Sequence, residues 1–192
     1  MVVAMHREPV LSLLREYRGR HPDEGAVVAR TLDLVHAHED CLRRTCLPGH
    51  LTGSAWVVSD DRRHVLLTHH RKLGRWLQLG GHADGDPDLL RVALREAREE
   101  SGLERLAPWS PTGAGAFVLD LDIHPIPAHG DEPAHDHHDL RFLLVAGPGQ
   151  EIRISEESLD LRWVPLRDLP RLADEESMLR MAAKARSLLE HA

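Results

Sequence analysis

The sequence lacks the features of a secreted or membrane-spanning protein. Only two cysteines occur in 192 residues, so a disulfide framework is not expected. No apolar run approaches the roughly 18 residues that a membrane-spanning helix needs. The N-terminal residues 1–6 lack the basic segment, the apolar segment and the small-residue cleavage site of a secretory signal. We therefore expect a cytoplasmic protein with no membrane segment.

Positive charge and aromatic residues are also scarce. The chain has 24 Lys and Arg against 31 Asp and Glu, a formal net charge of −7, and no basic stripe. Nucleic-acid binding through phosphate contacts is therefore not expected, whereas a small polyphosphate substrate is compatible if bound cations invert the local potential. With two Phe, four Trp and one Tyr, the core must be filled mostly by Leu, Val and Ala.

Both cysteines lie in one short segment, Cys41 and Cys46, with His36, His38 and His50 nearby. A zinc site is one interpretation. The spacing of the two cysteines fits no common zinc pattern, so two reduced thiols are the preferred interpretation.

Apolar periodicity predicts helices at both ends of the chain and strands between them. Strands that surround an internal helix suit a mixed sheet packed between helices. We predict an N-terminal helical extension over residues 1–50 and a second domain over 51–192. For the extension, packing onto the domain, a dimer contact and a lid over the site are open alternatives. The helices are predicted at 7–47, broken at 21–23, and at 174–190; the strands at 55–58, 64–68, 76–79, 116–123, 140–146 and 161–164.

The most informative segment, residues 81–103, is a glycine turn followed by a helix that ends in carboxylates. Glu96, Glu99 and Glu100 stand at i, i+3 and i+4, so they project from one side of the helix. Like charges at this spacing destabilise an isolated helix, but a Mg²⁺ or Mn²⁺ ion would favour them because it prefers carboxylate oxygens. Arg95, four residues before Glu99, is expected to hold that carboxylate by a bidentate pair.

We predict that this helix spans residues 87–101. Asp86 is the candidate N-cap, Pro87 fits the first turn, and Gly102 is the expected stop. An acidic, solvated helix face is the alternative, since Glu is a good helix former. That alternative does not explain why Gly81 stands at a fixed distance before the helix.

The segment resembles the signature of the Nudix hydrolases, which reads Gly, five residues, Glu, seven residues, Arg-Glu-apolar-x-Glu-Glu-x-Gly-apolar. One position departs, because the first Glu of the signature falls on Pro87, with Asp86 and Asp88 on either side as candidate substitutes. In the family this Glu is usually an accessory to helix geometry. The resemblance implies an α/β/α sandwich with a mixed sheet, preceded here by the helical segment. The matching positions are Gly81, Arg95, Glu96, Ala97, Glu99, Glu100, Gly102 and Leu103.

The resemblance implies a divalent-metal-dependent hydrolase that uses Mg²⁺ or Mn²⁺. Its substrate would be a nucleoside diphosphate derivative, cleaved at the pyrophosphate by water attack on phosphorus. Glu99 and Glu100 would be metal ligands, with the backbone carbonyl of Gly81 as another. Glu96 would be a further ligand or a base that orients water, and Arg95 would orient Glu99. Homodimers are common in the family, so the resemblance also implies a homodimer.

Two other functions compete with hydrolysis. A Nudix-like domain that binds a nucleotide without cleaving it is supported only by the missing signature Glu. A related isomerase of isoprenoid diphosphates shares the fold but uses a catalytic cysteine. Cys41 and Cys46 both precede the first predicted strand, which disfavours the isomerase.

The general base of the family often lies on a loop beyond the signature helix. Two segments compete for that role here, residues 129–139 and residues 155–158. Glu157, with Glu156 as its neighbour, is closer to the family habit of a mobile acidic loop and is our candidate.

Histidine is abundant, with 15 residues in the chain. His135, His137 and Asp139 alternate, so an extended chain would place them on one side. Such a set could bind a transition metal, or could contact substrate phosphates together with His82. A solvated surface loop is the alternative. In residues 69–72, His70 and Arg71 are further candidates for substrate binding, as cations near the mouth of the site.

Overall fold

The computed structural model describes residues 2–113, 115–130, 132–173 and 175–190. Residue 174, where we predicted the last helix to begin, lies outside them, as does Asp131 in one of the two segments proposed for the general base. Four α-helices are described: α1 (Val2–Arg20), α2 (Gly25–Ala37), α3 (Leu89–Ser101) and α4 (Glu176–Glu190). None of them is both long and apolar enough to cross a membrane.

The strands form a single mixed sheet of eight strands. Its main order is β3-β2-β1-β7-β5, while β4 pairs with β1, β6 with β7 and β8 with β2. The central pair β1 and β7 is parallel, and the other described pairs are antiparallel. The strands are β1 (Gly49–Val58), β2 (His64–His70), β3 (Arg75–Leu77), β4 (Leu79–His82), β5 (Leu106–Pro108), β6 (Val118–Ile126), β7 (His135–Ala146) and β8 (Ser158–Pro165).

Helices cover both faces of this sheet. Because side chains alternate along a strand, Leu51, Ala55 and Val57 of β1 face one cluster of buried side chains, shared with α1, α2 and α3. Trp56 and Val58 of the same strand face a second cluster that contains the apolar side of α4. The predicted α/β/α sandwich with an N-terminal helical segment is confirmed.

The N-terminal helices contribute to the same core as the sheet. Tyr17 of α1 is fully buried, and its hydroxyl accepts hydrogen bonds from the backbone N–H of Leu121 at 3.2 Å and from Lys184 Nζ of α4 at 2.7 Å. Helix α1 therefore packs onto the sheet and contacts the last helix. The boundary between residues 50 and 51 stays a prediction.

Helix α3 begins two residues later than predicted, and Asp88, not Asp86, is its N-cap. Asp88 Oδ1 accepts the N–H of Arg91 at 3.0 Å, which satisfies one of the free donors of the first turn. Asp86 instead accepts the N–H of Asp88 at 2.9 Å and pairs with the Arg91 guanidinium. Pro87 therefore lies in the turn before the helix. Gly102 ends the helix as predicted, with φ 70°.

Other boundaries also differ from the prediction. Residues 38–48 form turns where we predicted continued helix, because the backbone of His38 is already extended at the end of α2. Strand β7 begins at His135 rather than at residue 140, and the short β5 was not predicted at all.

Candidate functional site

A cleft of about 310 Å³ opens where β1, β4 and β7 meet helix α3. Glu96 and Glu100 line it from the helix, Gly81 from β4, Asp139 from β7 and Glu157 from the loop before β8. A second cleft of the same volume lies beside residues 59–64 and 146–150, and its described lining includes none of the predicted site residues. The first cleft is therefore the candidate active site.

Helix α3 carries Glu96 and Glu100 on the same side as its buried apolar residues, because Val92 lies four residues before Glu96 and Ala97 three residues before Glu100. Val92, Ala93 and Ala97 pack into the core. Glu100 is consequently buried, only 8% exposed, and its Oε2 accepts the backbone N–H of Gly80 at 3.1 Å. Glu96 is half-buried, whereas Glu99, 59% exposed, lies toward solvent.

Gly81 allows Glu96 to approach the backbone of β4. A Cβ atom at position 81 would lie 2.4 Å from the carboxyl carbon of Glu96 and 2.6 Å from its Oε1, too close for any side chain. The glycine in the signature therefore provides the space for a carboxylate. Any larger residue at position 81 would move Glu96 away from this position.

Arg95 does not form the predicted bidentate pair with Glu99. Its Nη1 lies 2.8 Å from Glu96 Oε1 and 3.3 Å from Glu99 Oε2, so one nitrogen bridges both carboxylates. Its Nη2 donates to the carbonyl of His82 at 3.1 Å. The guanidinium therefore divides its donors between the helix and β4, and fixes the distance between them.

Burial disfavours the charged forms of Glu96 and Glu100. Desolvation raises the pKa of Glu100 to about 8; the Gly80 hydrogen bond opposes this rise, and the negative charges of Glu96, Glu157 and Glu99 add to it. Desolvation also raises the pKa of Glu96, against the charge of Arg95. The carboxylate oxygens of Glu96 and Glu100 lie close together beside the glycine backbone and have few hydrogen-bond donors. This arrangement suits a hard divalent cation.

The opposite wall contains Asp139, whose carboxylate already has several partners. Thr52 and Ser54 donate to its Oδ1 at 2.9 and 2.7 Å, while Gln78 and Arg141 donate to its Oδ2 at 3.2 and 2.8 Å. Asp139 was predicted to bind substrate. Its acceptors instead join β7 to β1 and to Gln78, which lies between β3 and β4.

The predicted alternation of His135, His137 and Asp139 on one face of β7 agrees with the structure. His137 and His82 line the cleft, whereas His135 lies behind its wall with a side chain 1% exposed. Since a substrate in the cleft could reach the first two and not the third, the predicted phosphate contact suits only His82 and His137.

The segment after β2 and the loop before β8 form the rim of the cleft. His70, Lys72 and Glu157 line it. Arg71 was predicted to bind substrate, but its Nε and Nη2 donate to the backbone carbonyls of Glu156 at 2.9 Å and Ser158 at 3.0 Å. Arg71 is therefore positioned to hold the loop that carries Glu157.

Among the cationic residues that line the cleft, Arg44 was missed by sequence reasoning. Arg44 lies in the turns between α2 and β1, where it lines the cleft and forms two hydrogen bonds of 3.0 Å with the carboxylate of Asp84. The only sequence signal is the pair Arg43-Arg44, which carries no spacing relative to the glutamates. Folding alone brings this cation to the cleft.

Comparison with known proteins agrees with this geometry. The family profile described as "NUDIX domain" matches residues 50–185. A NUDIX family hydrolase from Clostridium perfringens is 26% identical, with a TM-score of 0.57 over 73% of this chain and 97% of that one. No curated protein matches the sequence significantly.

Two further solved structures share the fold. A C. elegans Ap4A hydrolase is 18% identical, with a TM-score of 0.59 over 74% of this chain and 98% of that one. An E. coli dihydroneopterin triphosphate pyrophosphohydrolase is 15% identical, with a TM-score of 0.54 over 73% and 95%.

Proposed function

This chain belongs to the Nudix hydrolase family, and we propose that it cleaves a pyrophosphate bond in a nucleoside diphosphate derivative with the help of Mg²⁺ or Mn²⁺. The observation that carries the proposal is the cleft in which buried Glu100 and half-buried Glu96 meet the backbone of Gly80 and Gly81. Water would attack a phosphorus atom of the substrate there.

The cation would be held by Glu96, Glu99, Glu100 and the carbonyl of Gly81. When bound, it neutralises charge on phosphoryl oxygens and lowers the pKa of water. Glu99 is the most exposed of the three glutamates, so its role requires its side chain to turn toward the cleft. Arg95 acts through the carboxylates that it contacts and is a positioning residue.

Glu157 is our candidate general base. It lines the cleft from the loop before β8, near enough for its charge to raise the pKa values of Glu96 and Glu100, whereas Glu156 is absent from the described lining. A carboxylate in this place can accept the proton of the attacking water. Arg71 supports this role because it holds the two residues beside Glu157 by their carbonyls.

Cationic and neutral donors around the carboxylates suit an anionic substrate. Arg44 and Lys72 line the cleft at its edges and would attract phosphate groups. His70 offers an imidazole group to the same ligand. Two solved structures of this fold are an Ap4A hydrolase and a dihydroneopterin triphosphate pyrophosphohydrolase, and Ap4A falls within the substrate class proposed here.

The missing signature Glu does not favour the alternative of a domain that binds without cleaving. Asp88 caps α3 and Asp86 pairs with Arg91, so the helix start that the absent Glu would support has other interactions. A cytoplasmic location and a homodimer stay predictions, the first supported by the free thiols of Cys41 and Cys46.

The test is a substrate panel with chromatographic detection of the nucleotide products as the readout, because cleavage of the pyrophosphate bond yields a nucleotide and a second phosphorylated product. Nucleotide sugars, dinucleoside polyphosphates, oxidised nucleotides and ADP-ribose are incubated with Mg²⁺ or Mn²⁺, and a chelator serves as the negative control. We expect hydrolysis of at least one class, abolished by chelation. If the protein binds members of the panel but releases no product, binding without cleavage is the correct function.

A further inference from the structure

Five histidines from four strands converge beside the cleft, and we call them the histidine cluster. The ring of His50 lies 4.7 Å from that of His137, 4.8 Å from that of His135 and 5.1 Å from that of His82, between ring centres. His124 lies 5.4 Å from His137. The sheet register produces this convergence, because His50 and His124 are both direct cross-strand partners of His137.

Three of these rings place a nitrogen atom close to the other two. One ring nitrogen from each of His50, His135 and His137 lies within 4.8 Å of the other two. His135 Nε2 is 3.3 Å from His137 Nε2. Two nitrogens bound at about 2.0–2.1 Å to a tetrahedral zinc ion are separated by about 3.3–3.4 Å.

The tautomer of His135 is fixed by its neighbour. Its Nδ1 lies 2.9 Å from the carbonyl of Pro133, which can only accept, so Nδ1 carries the proton. The lone pair of the neutral ring is therefore on Nε2, the atom that faces His137. A ligating histidine usually has this kind of support from a carbonyl on its other nitrogen.

His50 is the second, independent indication of a ligand. Its residue is 1% exposed, and neither ring nitrogen has a partner with full hydrogen-bond geometry among the described residues, although the nearby Cys46 backbone acts to raise its pKa. A buried polar group without a partner is costly and therefore uncommon in folded proteins. Burial and the neighbouring imidazoles also lower the pKa of His50 to about 4, which leaves the ring neutral, as a metal ligand must be.

We propose that His50, His135 and His137 bind a transition-metal ion of the zinc class, at a site separate from the carboxylates of α3. Imidazole nitrogens suit Zn²⁺, whereas Mg²⁺ prefers carboxylate oxygens, so the two sites select different ions. The sequence had suggested Asp139 as the third ligand. Arg141, Gln78 and two hydroxyls occupy that carboxylate, and His50 takes its place.

The metal would cross-link the two central strands of the sheet. His50 is near the start of β1, and His135 and His137 are at the start of β7, so one ion would join both strands where they form the cleft wall. His82, next to both His50 and His137, is the side chain best placed to supply a fourth ligand. This proposal does not depend on the proposed hydrolysis.

The test uses tag-free protein stripped of metal and then supplied with Zn²⁺ or Co²⁺ in excess Mg²⁺. Retained zinc is counted by elemental analysis after dialysis, and tetrahedral Co²⁺ is recognised by its visible absorption bands. We expect one ion per chain, and an increase of the melting temperature on zinc addition. Failure of the wild-type protein to retain zinc would overturn the proposal.

Two variants and two controls separate this site from others. His50→Leu and His137→Ala should each weaken zinc binding by at least about 100-fold. His129→Ala, an exposed histidine just before β7, should bind zinc normally. Glu100→Gln should also keep the zinc and lose only hydrolysis.

Unchanged zinc binding in both cluster variants, or its loss in Glu100→Gln, would contradict the assignment. His50→Leu removes two unpaired buried nitrogens, so the metal-free variant should be at least as stable as the wild type. If it does not fold, His137→Ala decides, because His137 lies on the half-exposed cleft wall.

Discussion

Two groups of buried carboxylates in this fold have opposite electrostatic environments. Desolvation and negatively charged neighbours raise the pKa of Glu100 to about 8, although Gly80 N–H donates a hydrogen bond that opposes the rise. Asp120, which is fully buried, contacts Arg141, Arg180 and Lys184 at 2.7–3.1 Å, and these cations lower its pKa in spite of desolvation. The fold therefore neutralises one carboxylate internally and leaves the other in need of a cation.

The contrast separates a structural role from a functional one. The paired group, which we call the ion network, joins β6, β7 and α4 through Asp120, Asp122, Arg141, Arg180 and Lys184. Glu100, which has no cation in contact with it in the described part of the chain, lines a cleft instead. Perturbed carboxylates without an internal counter-charge are typical of sites that bind ions or transfer protons.

Breaking the ion network should have the largest effect. Arg141→Leu leaves Asp120, Asp122 and Asp139 without their shared cation, and we expect a loss of about 3–5 kcal/mol in the free energy of unfolding. Urea denaturation measures it. The control is Arg30→Ala, which removes an exposed pair with Asp136 and should cost under about 1 kcal/mol. Equal losses of unfolding free energy in Arg141→Leu and Arg30→Ala would show that the buried ion network contributes no more to stability than an exposed ion pair.

Glu100→Gln should have the opposite result: a large loss of activity with no loss of stability. We expect turnover to fall by about 10²–10³-fold, the scale of losing one group that stabilises transition-state charge. Stability should be unchanged or higher, since an uncompensated buried charge is removed. Glu104→Gln, exposed just after α3, is the matched control and should leave turnover unchanged. Near-native turnover of Glu100→Gln would contradict the proposed site.

The two groups should also respond oppositely to pH in metal-free protein. Because the pKa of Glu100 is raised from 4.5 to about 8, its contribution to stability is complete below pH 4.5 and is lost as pH rises through 8. The lowered pKa values of Asp120 and Asp122 contribute stability above pH 3.8 that is lost in acid.

Melting temperatures across this range provide the measurement. Glu100→Gln should flatten the alkaline side of the stability curve and leave the acid side unchanged. Added Mg²⁺ should stabilise the wild type more at pH 8 than at pH 6, because protons compete with the metal for the carboxylates. If Glu100→Gln leaves the loss of melting temperature at alkaline pH unchanged, Glu100 is not the group that causes this loss.

The smallest effects are expected at the cleft rim. Arg71→Ala releases the carbonyls of Glu156 and Ser158, and we expect turnover to fall about tenfold as Glu157 loses its position. Lys72→Ala removes a cation that lines the cleft, and should raise KM with little change in kcat. Steady-state kinetics distinguish the two, and a change in KM alone for Arg71→Ala would indicate that Arg71 binds substrate.

Local patterns were sufficient to predict the helix of glutamates and a mixed sheet packed between helices, while the α/β/α sandwich was implied by the resemblance to a known family. The i, i+3, i+4 spacing on α3 and the period-two alternation on β7 depend only on the geometry of one element, so they can be read from the chain. His50 and Arg44 could not be found in this way. Both reach the site through pairing of strands or turns distant in sequence, as when β1 and β7 align His50 with His137.

Short-range competition explains the other differences. Asp86 and Asp88 are equally good caps by composition, and only the pairing of Asp86 with Arg91 decides between them. The spacing of Arg95 and Glu99 allows a pair between them alone. In the structure, however, Glu96 packs against Gly81 and its carboxylate lies nearer to the Arg95 guanidinium.

The Lys184 contacts with Tyr17 and Glu24 couple the local unfolding of the first and last helices. Lys184 Nζ lies 2.7 Å from the Tyr17 hydroxyl and 2.5 Å from Glu24, so the first and last helices share one anchor. Neither end can fray past this anchor without releasing the other. The amide hydrogens of α1 and α4 should therefore exchange with solvent together, as one cooperative unit.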